Sequence, residues 1–302
     1  MRLLILGSEG FIGSNLISFF LNKGVRIAGC DLFERPSQHK YEYFKVSRLS
    51  PEWDDIFSRK FDFCINAAGS GNVPYSMEHP LIDFESNTLD TMRILDAIRK
   101  NNESCRYLHI SSAAVYGNPV TLPVRETDAA NPISAYGWHK LMSEQICLEY
   151  SSIYKLRVAI IRPFSLYGNG LKKQLLWDIS QKLRTSDKIQ LFGTGKESRD
   201  FIHCNDLVRL IECLTSKGDF NGEVYNVGSG VETTIGTVAR LIEQSFNGSK
   251  TISFSGLLRP GDPLNWCADI SIIRSLGYLP LVKLDDGIRD YVTWFGNVKP
   301  IT

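Results

Sequence analysis

Short apolar runs alternate with amphipathic stretches over the first half of the chain. Leu3–Leu6, Val25–Cys30, Tyr43–Val46, Asp62–Asn66, Arg106–Ile110 and Val158–Ile161 are compact runs that predict strands. Between them apolar residues recur at helical spacing: after Gly13 through Leu21, over Leu81–Arg99, and at Met142, Ile146 and Tyr150. Strands alternating with helices predict an α/β fold, a doubly wound parallel sheet covered on both faces. Ligands of such sheets sit beyond the carboxyl ends of the strands. Past about residue 165 the texture loosens. Turns at Phe192–Gly195, Asn221–Gly222 and Arg259–Asp262 separate shorter elements, with helices predicted over Asp206–Thr215, Ile235–Ser245, Ile270–Leu276 and Asp285–Phe295.

The 302 residues are 43% hydrophobic, enough for one large core or a main core with a smaller partner. A net charge of +1 with no basic cluster gives no reason to expect nucleic acid or an anionic membrane as partner. No apolar run approaches the ~20 residues that span a bilayer. The opening Met1–Gly7 is too short for a signal peptide's apolar region and Glu9 follows it, so a cytoplasmic location is expected. Seven cysteines, none in a Cys-x-x-Cys pair, indicate neither a disulfide framework nor a metal site.

The first apolar run ends in Gly7-Ser-Glu-Gly-Phe-Ile-Gly13, and a helix follows. Strand, glycine loop and helix together let a pyrophosphate approach the helix N-terminus, where unpaired N–H groups and the dipole favour an anion. Gly7, Gly10, Phe11, Ile12 and Gly13 are therefore the expected cofactor cradle, one residue longer at the front than the commonest dinucleotide fingerprint. Asp31 ends the second strand, where an acid accepts hydrogen bonds from an adenosine ribose and repels a 2′-phosphate. Arg35 would welcome that phosphate, so NAD is favoured and NADP stays open. Residues 1–165 are read as a dinucleotide-binding Rossmann domain and 166–302 as a smaller substrate-binding region, with some chain crossing back to the sheet.

Tyr136 and Lys140 stand four apart in a helical stretch and so share a face. A phenol of pKa ~10 is a poor base at neutral pH, and a nearby ammonium favours its phenolate. The same spacing occurs by chance, and its second copy, Tyr41 to Lys45, is read as meaningless.

With these pieces placed, the chain resembles the extended short-chain dehydrogenases/reductases, in particular the NAD-dependent epimerase/dehydratase group acting on nucleotide sugars. The resemblance rests on the glycine loop, Asp31, Asn66-Ala-Ala-Gly69, Ser111-Ser-Ala-Ala-Val-Tyr-Gly117, Tyr136-Gly-Trp-His-Lys140, Arg162-Pro-Phe-Ser-Leu-Tyr-Gly168, Ser198–His203, Tyr225–Gly230 and Arg259–Asp262. It implies that Ser112 hydrogen-bonds the reacting sugar oxygen, Tyr136 transfers the proton, and Lys140 lowers the tyrosine pKa and holds the nicotinamide ribose. It places Ala67 and Asn87 on the cofactor side, and Arg199 and Arg259 on the diphosphate of a nucleotide-diphosphate sugar. Ser165 stands where the family usually carries asparagine, so that substrate contact is altered or lost. Ser111 is expected only to satisfy local backbone. A homodimer through Leu81–Arg99 and Ser134–Tyr154 is implied by the same analogy.

The chemistry implied is hydride transfer at C4 of a hexose, with no metal and no covalent intermediate. Family dehydratases carry an Asp-Glu pair after the serine or threonine; Ala113 and Ala114 here neither take nor give a proton, which sets dehydration aside. Tyr167–Asp178 resembles the ketoreductase-like branch that makes 6-deoxyhexoses, which favours reduction of a 4-keto-6-deoxy nucleotide sugar, of the dTDP-4-dehydro-6-deoxyglucose reductase type. The alternatives are a 4-epimerase of the UDP-glucose type with tightly bound NAD and, from another class, a non-catalytic dinucleotide sensor.

Overall fold

The computed structural model describes residues 1–34, 40–48, 51–246, 250–258 and 261–299. Arg35 and Arg259 lie outside the described residues. Strands β1 (Arg2–Leu6), β2 (Arg26–Asp31), β3 (Glu42–Lys45), β4 (Phe63–Asn66), β5 (Arg106–Ile110) and β6 (Val158–Pro163) follow the six apolar runs to within two residues. Later strands are β7 (Ser165–Tyr167), β8 (Lys188–Leu191), β9 (Ser198–His203), β10 (Asn221–Val227), β11 (Glu232–Thr234) and β12 (Thr251–Phe254). One sheet runs β10-β6-β5-β4-β1-β2-β3, and its pairings from β6 to β3 are parallel. β1 and β4 are buried along nearly their whole length, which is why both are unbroken apolar runs.

The helices of the first half are α1 (Phe11–Asn22), α2 (Trp53–Ser58), α3 (Val73–Glu78), α4 (Pro80–Phe84), α5 (Asp90–Asn101) and α6 (Ala135–Tyr154). The single helix expected over Leu81–Arg99 is instead α4 and α5 joined by a π turn, Glu85–Leu89. Its extra residue turns Ser86, Asn87 and Thr88 inward in succession, which the 3.6-residue period alone would not do. Lys155 stops α6 in a left-handed conformation.

The chain divides into two compact units: Met1–Gly117, Ala129–Arg162 and Leu210–Tyr225 form the first, and Asn118–Asp128, Pro163–Arg209 and Asn226 onward the second. The break after Arg162 falls near the boundary expected at 165, but each unit also takes a segment from the other's side of it. The first unit holds most of the sheet, and its core joins Leu4, Leu6, Cys64, Tyr107 and Ile160 to Ile94, Ile98 and Cys147 from the helices. The second contains α7 (Gln174–Thr185), the start of α8 (Cys204–Lys217), α9 (Ile235–Ser245), α10 (Ser271–Ser275) and α11 (Leu284–Gly296). Its core gathers Leu176, Ile179, Phe201, Val238, Ile288 and Tyr291. Neither α7 nor the short β7–β9 was evident as a sequence pattern. Asn221-Gly222, expected as a turn, instead begins β10, with Gly222 at φ +95°. Among the described residues no helix is long and apolar enough to cross a membrane.

Candidate active site

The glycine loop leaves β1 and turns back on itself, the amides of Gly7 and Ser8 both donating to the Cys30 carbonyl. Two glycines are obligatory here. A Cβ on Gly13 would stand 2.1 Å from the Gly7 carbonyl oxygen, and Gly7, at φ +73°, would place one 2.7 Å from that of Ala67. α1 begins after Gly10, which has no side chain to cap it, so the first-turn amides at Phe11, Ile12 and Gly13 are presented as an anion site. Beside them Asp31 is pinned by two backbone amides, Glu9 at 2.9 Å and Leu32 at 2.7 Å. Asn87, on the π turn, donates to the Ser70 carbonyl at 3.2 Å, while its side-chain oxygen is buried without a protein partner. Helix N-terminus, anchored acid and orphaned amide oxygen together fit a dinucleotide.

Ser112 follows β5 in extended conformation, and its hydroxyl accepts from the Ala114 amide at 3.2 Å to start a short 3₁₀ turn, Ala113–Tyr116. The Ser134 hydroxyl caps α6 by accepting from Gly137 at 3.1 Å. The buried Ser76 hydroxyl on α3 accepts from the next free amide, that of Tyr136, at 3.0 Å. Thus fixed, the Tyr136 phenol stands beside the Ser112 hydroxyl, which favours its ionised form. Burial pushes that phenol up to about 12, with Ser112 pulling down and the Asp83 carboxylate pushing up. Lys140 lies on the same face, and its ammonium donates to the Ile110 carbonyl at 2.9 Å. Burial drags it down to about 8, against the upward pull of Asp83, Cys147 and Glu144. In this geometry burial outweighs what lowers the phenol, and the Lys140 ammonium is turned to the Ile110 carbonyl.

Ser111 does more than its expected local role. Its hydroxyl donates to Glu144, which also holds the Arg162 guanidinium at 2.6 Å in a fully buried pair. Arg162 donates in turn to the Tyr116 hydroxyl at 2.7 Å. β5, the 3₁₀ turn, α6 and β6 are thereby tied together directly behind Ser112 and Tyr136. The second Tyr-x-x-x-Lys copy runs into strand β3, where its two ends do not share a helical face.

Ser112, Tyr136 and Lys140 converge, as do Gly7, Ala67 and the loop before Asn87. Ser165 on β7 and Arg199 on β9 belong to the second unit, where the Arg199 guanidinium donates to the carbonyls of Ser198 and Leu264 at 2.8 and 3.2 Å and lies over the Trp266 ring. The sequence did not single out Asp83, Ser76 or His139. His139 stands three residues after Tyr136, a spacing that would have found it; Asp83 and Ser76 carry no such signal. In the second unit, Tyr167, Leu176 and Trp177 of the segment likened to ketoreductases are buried, so those three residues serve packing.

A model of the NAD dependent epimerase/dehydratase family matches residues 3–228. The chain belongs to that family. The family is one of NAD-dependent enzymes, and this chain is one of them. It is 27% identical to UDP-glucose 4-epimerase of Mycolicibacterium smegmatis, over 98% of this chain and 99% of the relative. It is 29% identical to GDP-6-deoxy-D-mannose reductase of Pseudomonas aeruginosa, over 80% of this chain and 79% of the relative. The solved structure of MoeE5 in complex with UDP-glucose and NAD matches with a TM-score of 0.89 at 25% identity, covering 98% of this chain and 99% of that one.

Proposed function

We propose that this epimerase/dehydratase-family enzyme is a nucleotide-sugar 4-epimerase, acting on a UDP-hexose with NAD retained through the cycle. The observation that carries the reading is Ser112 beside the buried Tyr136 phenol on the face that holds Lys140, next to a 3₁₀ turn offering only Ala113 and Ala114. Such a site moves a proton at one sugar oxygen and has no second acid–base pair for dehydration. The comparisons favour epimerase over the ketoreductase expected from Tyr167–Asp178: the epimerase relative matches along 98% of the chain and the reductase along 80%.

Bound NAD supplies the hydride acceptor and donor. Tyr136 takes the proton of the 4-hydroxyl and returns it to the same oxygen. Ser112 hydrogen-bonds that oxygen where charge develops. Lys140 as ammonium supports the phenolate. Gly7, Gly10, Phe11, Ile12, Gly13, Asp31, Ala67 and Asn87 hold the cofactor, and Arg199 with Arg259 takes the diphosphate.

Purified enzyme is expected to interconvert UDP-glucose and UDP-galactose with no cofactor added, and to release NAD, not NADP, on denaturation. Stoichiometric loss of NAD(P)H with a 4-keto-6-deoxy nucleotide sugar, and no interconversion, would restore the reductase. Recovery of NADP would show Arg35 outweighing Asp31.

Family resemblance also implies a homodimer across α5 and α6, and Met92, Trp138 and Met142 are exposed on those helices. Light scattering is expected to give twice the 34.0 kDa chain mass; a monomer at micromolar concentration would refute this.

A further inference from the structure

His109, on β5, is buried and has no part in the proton route proposed above. It stands in a run of hydrogen bonds that crosses the core of the first unit, from the end of β4 to α6. Asn66, its register partner on β4, donates to the Tyr107 hydroxyl oxygen at 2.7 Å. That hydroxyl lies 3.4 Å from Nδ1 of His109, and Nε2 of the ring lies 2.8 Å from the Ser143 hydroxyl on α6. Ser143 in turn donates to the Lys140 carbonyl at 2.7 Å. All four side chains are shut off from water, so their polar atoms must find partners within the protein.

The chain has one direction. A hydroxyl carries a single proton, and that of Ser143 goes to Lys140, so its oxygen accepts from Nε2–H of His109. Nδ1 is then the acceptor for Tyr107, whose oxygen takes the Asn66 amide. This makes His109 the neutral Nε2–H tautomer. Burial, and after it the Lys140 charge, hold the ring well below the ordinary imidazole range and so keep it neutral. At one end of the chain Asn66 accepts from the Ala68 amide at 3.1 Å, shaping the loop that carries Ala67. At the other end Lys140 is gripped twice by consecutive residues of β5. Its carbonyl is held by His109 through Ser143, and its ammonium by the Ile110 carbonyl at 2.9 Å.

Resting on the role proposed above for Lys140, we propose that His109 is a positioning residue: through Ser143 it sets the turn of α6 from which Lys140 reaches the site. No bond to sugar or cofactor is involved. Lysine is a flexible four-carbon stem, so a hold on its ammonium places it only if the backbone that bears it is held as well. The Ser143 bond to the carbonyl three residues back is local to the helix. The His109 ring is what ties that bond to the sheet.

The test compares UDP-glucose turnover by the NAD-loaded wild type, His109→Leu, His109→Gln and Ser143→Ala, each well below its own melting point, with Lys140→Met as control. His109→Leu fills much of the space but breaks the chain, and is expected to lower kcat about 10-fold or more with KM unchanged. Ser143→Ala, which cuts the next link, is expected to do the same. His109→Gln, whose side-chain amide donates from near the Nε2 position, should recover most of the loss. A role confined to stability would lower the melting points and leave kcat in place. ¹⁵N-histidine NMR of the wild type should show His109 protonated at Nε2 alone, its signal identified by its loss in His109→Gln. Protonation at Nδ1, or wild-type kcat in folded Ser143→Ala, overturns the proposal. If His109→Leu does not fold, Ser143→Ala and the tautomer decide. Full turnover of Lys140→Met would instead overturn the site reading beneath it.

Discussion

Tyr136→Phe is expected to lower kcat by about 10²-fold or more while leaving cofactor binding and the melting temperature close to wild type. The phenol hydroxyl stands beside Ser112, and phenylalanine keeps the buried ring while deleting the proton. At neutral pH a phenol pushed up to about 12 stays protonated in this geometry. Its work as a base therefore depends on positive charge brought near it, which is where Lys140 enters. The loss should fall on turnover rather than on KM, because the bond to the sugar oxygen strengthens as charge develops there. Near-normal turnover of the variant would remove Tyr136 from the mechanism.

The second large effect is on stability. Glu144→Ala is expected to cost about 3–5 kcal/mol, a large part of the ~5–15 kcal/mol that holds most folded domains. Glu144 is the shared acceptor for Ser111 and Arg162, and all three are almost wholly excluded from water. Truncation leaves a buried guanidinium bonded to the Tyr116 hydroxyl but deprived of its carboxylate. An apparent melting point lower by roughly 6 °C or more is expected. The double variant Glu144→Leu/Arg162→Met should recover much of the loss, since it leaves no unpaired charge. A single variant within 1 °C of wild type would mean that the pair contributes little.

The ketoreductase expectation rested on a local likeness. Tyr167–Asp178 was read for substrate class, yet Tyr167, Leu176 and Trp177 are interior residues of the second unit. Their identity is constrained by packing volume, which two enzymes of different reaction share as easily as two of the same.

What the sequence determined by itself is whatever depends on neighbours in the chain. The six parallel strands were legible because strands buried on both faces are short apolar runs. The glycine loop was legible because the close approaches at Gly7 and Gly13 exclude any side chain. Tyr136 and Lys140 were legible because helical spacing alone puts them on one face. Tertiary structure decided the rest. Asp83 meets His139 across 56 residues, and Ser111 meets Glu144 across 33. The π turn that buries Asn87 leaves no period in a sequence read at 3.6 residues per turn. The state of the phenol was also beyond the sequence: spacing supplies the neighbour, but burial, a property of the packed molecule, moves Tyr136 and Lys140 in opposite directions.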